Sequence, residues 1–525
     1  MNPHVGVRGP LAICLLSILV AFLLAQTSVD GGESYDQLVA DGIALAREGR
    51  LAEAGQAFDH ALGLDPARPQ ALVERGGLRF LERRYGEAAR DLGRALAIQE
   101  DPYARDLLAS SLHLDGRADE ALAVWNVVGK PVVGSVEITG LTHTRDEVAR
   151  REIGFGQGQV MELARVRQAR LRLAEVGIFD RLTLRPVPIG DGKADLDVAL
   201  LERYGLFENW AELAVTTGVN ALNQRIQPRF SNIGGLGVSI GGRYRWEKNR
   251  PELALLVDWP RPFAVGGYLH LTAARGRQAY ALAEPLEDRF RGADLGFRSV
   301  LGGRTIGELS ARVRERSFSR PGNSATPGTL VGLGGGLERR LFESRRHRVD
   351  ASVRFLSAIP PFGSDVRFSQ GILTLGYKAA LSSPEGTLIE PSVLATAARL
   401  GRASPGTPID EMFAPGGSPD MELPLRAHPQ AMDGALGAAP LARSIDLIDL
   451  EWRRRLIRKS LFQIGFVLFY DGARITDTLE VGPHNFHDMG VGLRLGLAGT
   501  VVRLDFGHGL TDGKNAFFFG MNQVF

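Results

Sequence analysis

The sequence predicts a chain of three folded parts: an N-terminal α-solenoid, a small α+β module and a C-terminal transmembrane antiparallel β-barrel of about sixteen strands. Three observations predict it. A period of about 34 residues recurs in the N-terminal quarter. Strand and helix patterns then alternate between residues 131 and 202. The last three-fifths divides into alternating segments of about ten residues, separated by turns rich in Gly, Pro, Asp and Asn. At 525 residues the chain is too long for one ordinary domain. Its 62 Lys and Arg against 60 Asp and Glu leave a net charge of +2, without the basic surplus of a nucleic-acid binder. One Cys, Cys14, excludes a disulfide framework and a Cys-based metal site. No long apolar run follows residue 25, which excludes a polytopic helical membrane protein.

Residues 1–25 read as an export signal. Arg8 precedes the apolar stretch Leu11–Leu24, and Ala25 offers a small residue before Gln26. The stretch is shorter than the roughly twenty residues a spanning helix needs; a retained anchor is the alternative. Ile13 before Cys14 is not small, which disfavours lipidation there. Cleavage removes the Cys and leaves a thiol-free chain suited to an oxidising compartment such as the periplasm.

In residues 33–129 the first repeat has Gly42, Gly49, Leu51, Ala54, Phe58, Ala61 and Pro66. The second has Gly76, Tyr85, Ala88, Leu92 and Ala95, and the third Gly116, Ala121 and Trp125. Small residues at fixed places let two helices of a hairpin approach, and larger ones fill the groove to the next. Ala54, Phe58, Ala61, Ala88, Ala121 and Trp125 are the expected packing residues. The pattern resembles the tetratricopeptide repeat, best at Ala54, Phe58, Ala61 and Pro66. The third unit is degenerate. The resemblance implies a concave face for a peptide or partner protein; so few units also suit a spacer.

Residues 131–203 alternate from Val132 to Ile138, then show two helical stretches, Thr144–Ile153 and Glu162–Val176, and strands through Val187 and over Ala194–Leu201. Gly140 ends the first strand, Gly177 caps the second helix, and the turn is Gly190-Asp191-Gly192. The β-α-α-β-β order, with Val136-Glu137-Ile138-Thr139-Gly140 and Gly177-Ile178-Phe179, resembles the polypeptide-transport-associated (POTRA) domain. Ile138, Gly140, Gly177 and Phe179 are its expected core positions, Phe179 as a plug. The resemblance implies an exposed strand edge open to β-augmentation.

Residues 205–525 carry the barrel pattern. In Phe462–Asp471, Phe462, Ile464, Phe466, Leu468 and Tyr470 share one face, opposite Gln463, Gly465, Val467, Phe469 and Asp471. Met489–Leu497 sets Met489, Val491, Leu493 and Leu495 against Gly490, Gly492, Arg494 and Gly496. Repeated Arg, Asp and Gly on the polar face suit a wet lumen, and a closed barrel leaves lipid no unpaired backbone. The chain ends on an amphipathic strand with Phe517, Phe519, Gly520 and Phe525, an aromatic terminus of the outer-membrane type.

Signal, POTRA-like module and aromatic-ended barrel together resemble the bacterial surface antigen family, which includes BamA, TamA and the two-partner secretion transporters. The resemblance spans roughly residues 131–525. Its loop motif is matched in part: Gly416-Gly417 is followed by Leu425-Arg426-Ala427-His428, with Ala427 for the family's Gly and His428 for its aromatic residue. The resemblance implies that Arg426 folds into the lumen and pairs with Glu451 and Asp471, a guanidinium bridging two carboxylates; ordinary solvated charges are the alternative. Asp505, with Arg503 on the same face, also matches as a structural residue. The family further implies a weak seam between first and last strands, here Glu208–Thr217 and Phe517–Phe525, with Gly520 a candidate kink and Asn522 where many members have Gly.

The resemblance implies an outer-membrane barrel assisting insertion or translocation of proteins, with a periplasmic arm recruiting a partner or client, outer-membrane lipid around it and no nucleic acid. The alternatives are a passive channel or surface structural protein, and a membrane-anchored binding scaffold. Enzymatic activity is not expected. Gly237-Val238-Ser239-Ile240-Gly241 continues as a strand instead of turning into a helix as a nucleophile elbow must. His428, His484, His487 and His508 fall in expected loops or strand ends and read as solvated. Neither a metal nor a cofactor is expected.

Overall fold

A computed structural model describes residues 34–525 apart from 208–209, 263–265, 323, 386, 460–461, 480–483, 498 and 525. The export leader with Cys14, and the terminal Phe525, lie outside the described residues. The chain forms two units, one ending at Gly129 and one beginning at Lys130.

The first unit is three helical hairpins: α1 (Tyr35–Arg47) with α2 (Leu51–Leu64), α3 (Gln70–Leu81) with α4 (Tyr85–Ile98), and α5 (Pro102–Leu114) with α6 (Ala118–Asn126). Ala54, Phe58, Ala61, Ala88 and Ala121 are buried, while Trp125 is half-buried beside Ala121. A Cβ at Gly42 would stand 2.6 Å from the Phe58 ring, and one at Gly76 2.7 Å from Leu92. These glycines therefore set how closely each hairpin shuts. Each second helix opens on the same ion pair, Arg50–Glu53, Arg84–Glu87 and Arg117–Glu120. The turn before it needs a left-handed residue, supplied by Gly49, Arg83 and Gly116. The third repeat, degenerate in its packing residues, thus keeps the turn and first-turn pairing of the others.

The second unit begins with β1 (Val132–Thr139), α7 (Asp146–Ile153), α8 (Leu163–Glu175), β2 (Phe179–Gly190) and β3 (Lys193–Glu202). The sheet order is β1-β3-β2, with β1 parallel and β2 antiparallel to β3. Positive φ at Gly190, Asp191 and Gly192 folds the β2–β3 hairpin. Val133, Ile153, Met161, Leu173, Ile178 and Val198 fill the core. Ile138 and Phe179, expected there, are only half-buried. Gly177, with a φ of +72°, turns the chain out of α8, and Ile178 and Phe179 both pack at the border with the barrel beside Tyr268, Val300 and Ile306, Ile178 buried and Phe179 at the margin of the cluster. A side chain at Gly140 would collide with the Leu200 carbonyl.

The remainder is a closed barrel of eighteen strands among the described residues. In order these are β4 (Arg225–Ile226), β5 (Arg229–Ile233), β6 (Val238–Arg245), β7 (Glu252–Pro260), β8 (Tyr268–Tyr280), β9 (Leu286–Gly302), β10 (Thr305–Phe318), β11 (Gly328–Glu343), β12 (His347–Ala358), β13 (Phe368–Ala380), β14 (Ser392–Ala403), β15 (Ala431–Met432), β16 (Ala435–Leu436), β17 (Ala442–Arg458), β18 (Phe462–Thr478), β19 (His484–Leu497), β20 (Thr500–Gly509) and β21 (Asn515–Met521). The short β4 and β5 both pair with β6, and β15 and β16 lie in the long loop between β14 and β17, which pair directly. Faces alternate as the sequence pattern requires. Leu309, Phe355, Val491 and Phe517 are exposed on the outer face, whereas Val467, Phe469 and Asp471 are buried on the inner one.

One segment departs from expectation. The seam strand anticipated at Glu208–Thr217 is, over the described residues, the helix α9 (Trp210–Leu222). Its ends are tied: Arg203 pairs with Glu212 at 3.1 Å, and Arg225 donates to Asn220 at 3.3 Å.

Candidate functional site

The site lies inside the barrel, where the loop of residues 404–441 folds inward. Strand pairing places Asp449 of β17 opposite Asp471 of β18, and Asp471 opposite Asp488 of β19. Three carboxylates thus cross the inner wall in one row, a like-charge arrangement that repels unless cations meet it. Cations do meet it. Arg426, with no exposed side-chain surface, donates from Nε and Nη2 to the two oxygens of Asp471 at 2.8 and 2.6 Å. Its Nη1 reaches Glu451, and its guanidinium carbon stands 3.6 Å above the Phe469 ring. Arg399 of β14 takes Asp449. The Arg426 backbone N–H adds a third bond to Asp471 at 3.0 Å.

His428 is a correction: it is buried, not solvated. Its Nδ1 stands 3.0 Å from Asp488, and its Nε2 2.9 Å from Asp512 in the β20–β21 turn. The Ala427 N–H also donates to Asp488, at 2.6 Å. Both ring nitrogens can donate only in the imidazolium form. Burial by itself would lower the imidazole pKa, but the two carboxylates outweigh it and raise it. For Asp512, burial is likewise outweighed, by His428 and Lys514, and its pKa falls to about 2.

Glycines on the last strands make room for this loop. Gly507 lies against the Arg426 carbonyl, where a side chain would collide. Gly520 is buried, with the Pro419 carbonyl 3.0 Å from where its Cβ would stand and Arg503 also in the way. It serves close approach of the loop more directly than a kink. Arg503 donates to the Pro419 carbonyl at 3.0 Å and stands 3.3 Å from Asp505, which also receives Arg494 at 2.6 Å. Phe517 and Phe519 point outward, their rings edge to face at 4.8 Å.

The sequence reading missed a second anchorage on the opposite wall. There the turn Ile409–Glu411 meets β10: Arg316 pairs with Asp410 at 2.9 Å and Arg312 with Glu411 at 2.7 Å. The signal was present as Arg312, Arg314 and Arg316 on alternate residues of one strand, opposite an acidic dipeptide in the loop. Asp449 and Asp488 show singly in the sequence as acids on one strand face, whereas their alignment with Asp471 depends on strand register.

The small module docks on one rim. Glu152, almost wholly buried, accepts from Arg261 and from the Tyr268 hydroxyl, both at 2.8 Å. Arg298 of β9 pairs with Glu175 at the end of α8 at 2.8 Å. Asn232 donates to Thr144 at 2.8 Å, and the Arg145 N–H to the Gly235 carbonyl at 3.0 Å. Four separate turns or strand ends of the barrel are thereby held.

Residues 131–203 match the family model for POTRA, described as a surface antigen variable number repeat. These residues are a POTRA domain. The chain is also similar in structure to CdiB from Escherichia coli, with a TM-score of 0.54 at 11% identity, over 74% of this chain and 75% of that one. The barrel therefore has a CdiB-like fold. Lower likenesses are to BamA from Haemophilus ducreyi lacking POTRA domains 1–3 (TM-score 0.44, 14% identity, 74% and 83% covered) and CdiB from Acinetobacter baumannii (0.48, 12%, 84% and 85%). No curated protein matches the sequence.

In the order β1-β3-β2 both β1 and β2 are edges of the POTRA sheet, and β2 carries Pro186 and Pro188. Proline is kept in a strand where its missing N–H faces away from the ladder. Two such donors are therefore absent from the outer edge, which blunts it against an added strand along that half. Inside the barrel, between the loop and the wall from β8 to β13, a cavity of about 530 Å³ remains, lined by His270, Asp294, Glu308, Arg312, Arg354 and Glu411 among others. Ser239 lies within β6, paired opposite Asp258, and has no helix after it. His487 and His508 are exposed, beside Tyr470 and Asn515. Among the described residues no His, Cys, Asp and Glu cluster has metal-ligand geometry.

Proposed function

We propose that this protein is an outer-membrane barrel that assists insertion or translocation of proteins, its POTRA domain and helical repeats reaching into the periplasm to recruit a partner or client. One observation carries the reading: a POTRA domain bolted to the rim of a closed, outwardly apolar barrel whose lumen holds a loop pinned from both walls. Such a machine needs no bond chemistry, and we assign it none. Arg426, Glu451 and Asp471 act as the latch of the loop. Lipid meets the outer face, where exposed Leu, Val and Phe side chains would otherwise lie in water. With the β2 edge blunted by its prolines, the helical repeats and the remaining POTRA surface are the favoured points of capture.

The lumen cavity favours a second reading, a passive channel. Proteoliposomes holding the full chain separate the two. The proposed function predicts faster folding of an unfolded client barrel, scored by its heat-resistant electrophoretic form, with the gain lost when the POTRA domain is deleted. Ion flux without any gain in client folding supports the channel instead.

A further inference from the structure

The apolar outer face of the barrel gives way to arginines at one patch. The β9–β10 turn touches the POTRA domain, at Gly303 against Ala164, and so marks the POTRA rim. From that rim the outward side chains of β9 are Leu301, Ser299, Phe297, Leu295 and Ala293, then Arg291 and Arg289. At about 3.4 Å per residue and the usual barrel tilt, Leu301 to Ala293 rises about 20 Å, most of the apolar band of about 25 Å that a barrel shows to lipid. The arginines therefore stand at headgroup level in the leaflet away from the POTRA rim. Strand register adds two more on β8: Arg275 lies opposite Arg291, and Arg277 opposite Arg289. Tyr244 falls in the Arg275 row, and it and Trp246 are exposed at the end of β6, as interfacial aromatic residues are.

Like charges directly opposite one another repel, and the neighbouring acids answer only half of them. Arg291 pairs with Glu315 at 2.6 Å and Arg289 with Glu287 at 3.1 Å. Glu287 is also 3.5 Å from Arg277, whose Nη2 donates to the Lys248 carbonyl at 2.7 Å. The Arg275 side chain is exposed, with no ion-pair partner among the described residues. Four cations against two acids leave two positive charges over. On β14 the same rim carries Arg402, but Asp446 meets it at 2.6 Å.

Below the patch the wall is hollowed. Ala273 and Ala293 stand opposite each other between Leu255 and Val313, and these small residues floor an outward groove of about 790 Å³. A second groove of about 560 Å³ adjoins it above, lined by Tyr244, Leu253 and the four arginines. Leu253, Arg275, Arg291 and Glu315 line both, so the two form one track, apolar below and cationic above.

We propose that this track binds one lipid of the leaflet away from the POTRA rim, with two phosphates on its head held by Arg275, Arg277, Arg289 and Arg291 and an acyl chain laid over Ala273 and Ala293. Guanidinium forks suit phosphate oxygens. The two arginine rows lie about 7 Å apart along the strands, so a head with two phosphates reaches both rows and a single phosphate reaches one. Two phosphate charges also match the two unanswered cations. The inference rests on the reading of the chain as an outer-membrane barrel but requires no client.

Native mass spectrometry of the full chain, released from a non-ionic detergent, tests it. The probes are lipid A, which carries two phosphates, its monophosphoryl form, phosphatidylglycerol and inorganic phosphate. The site predicts one lipid A retained per chain, about tenfold more than phosphatidylglycerol at equal concentration, with the monophosphoryl form between them. Equal retention of lipid A and phosphatidylglycerol, or displacement of lipid A by millimolar phosphate, overturns it. Arg275→Gln together with Arg291→Gln should lower lipid A retention about tenfold, whereas Arg402→Gln should leave it unchanged. Ala293→Phe fills the groove without altering charge and should lower retention about threefold. Unchanged retention in either the arginine or the groove variant, or an equal loss with Arg402→Gln, also overturns the proposal. Heat-modifiability confirms that each variant is folded. Client folding is measured in phosphatidylcholine liposomes that hold none of these anionic lipids, so failure of either assay leaves the other result standing.

Discussion

Arg426 shows how much a single side chain holds in this lumen. Its guanidinium is fully buried between Asp471 and Glu451, and a buried ion pair is costly to break because the partner charges stay behind. Arg426→Ala leaves both acids beside Asp449 with one cation fewer. The expected cost is about 3–5 kcal/mol to loop docking, read as raised conductance in planar bilayers; unchanged conductance refutes the latch. Arg426→Lys keeps the charge but loses the fork that serves two carboxylates, and should fall between. His428 adds a pH dependence. Its folded pKa lies above the ordinary imidazole value of about 6.5. Its contribution is therefore complete below that value and is lost as pH rises through the folded pKa. Conductance should climb over that alkaline limb in the native chain, and His428→Gln should flatten it.

At the scale of elements, the loop is held by two walls of opposite sign: acids on β17 to β19 and arginines on β10. Charge complementarity fixes which way round the loop sits, more than it adds stability. Space is the other condition. Gly507 on β20 lets the Arg426 carbonyl touch the wall, so Gly507→Val should free the loop although no charge is altered. Its conductance should match that of Arg426→Ala, and the double variant should add little to either. The POTRA contact is a different sort of element. Glu152 gathers Arg261 and Tyr268 in a buried network, so the domain is an extension of the rim and not a hinged arm.

The whole molecule consists of two units with separate cores. The helical hairpins bury their own alanines and Phe58, and the barrel with its POTRA domain forms the other unit. Deleting residues 34–129 should therefore leave the heat-modifiable transition of the barrel within a few degrees of the full chain. A large drop would mean that the helical unit supports the barrel fold.

Periodicity of two and of about 34 residues is written in single side chains. The strands, the hairpins and the outward apolar face are therefore legible in the sequence alone. So is the Arg426 partnership with Glu451 and Asp471, through resemblance to the family's loop and strand motifs. The row from Asp449 to Asp488, the seat of His428 and the clasp of Asp410 and Glu411 on β10 are not. They depend on which residues stand opposite one another across strands far apart in sequence, and register is a tertiary property. Trp210–Leu222 marks the boundary between the two kinds of knowledge. Its residues alternate as those of a strand do, but a strand forms only against a paired neighbour, and here the ties at Glu212 and Asn220 hold the segment as a helix beside a seam two residues long.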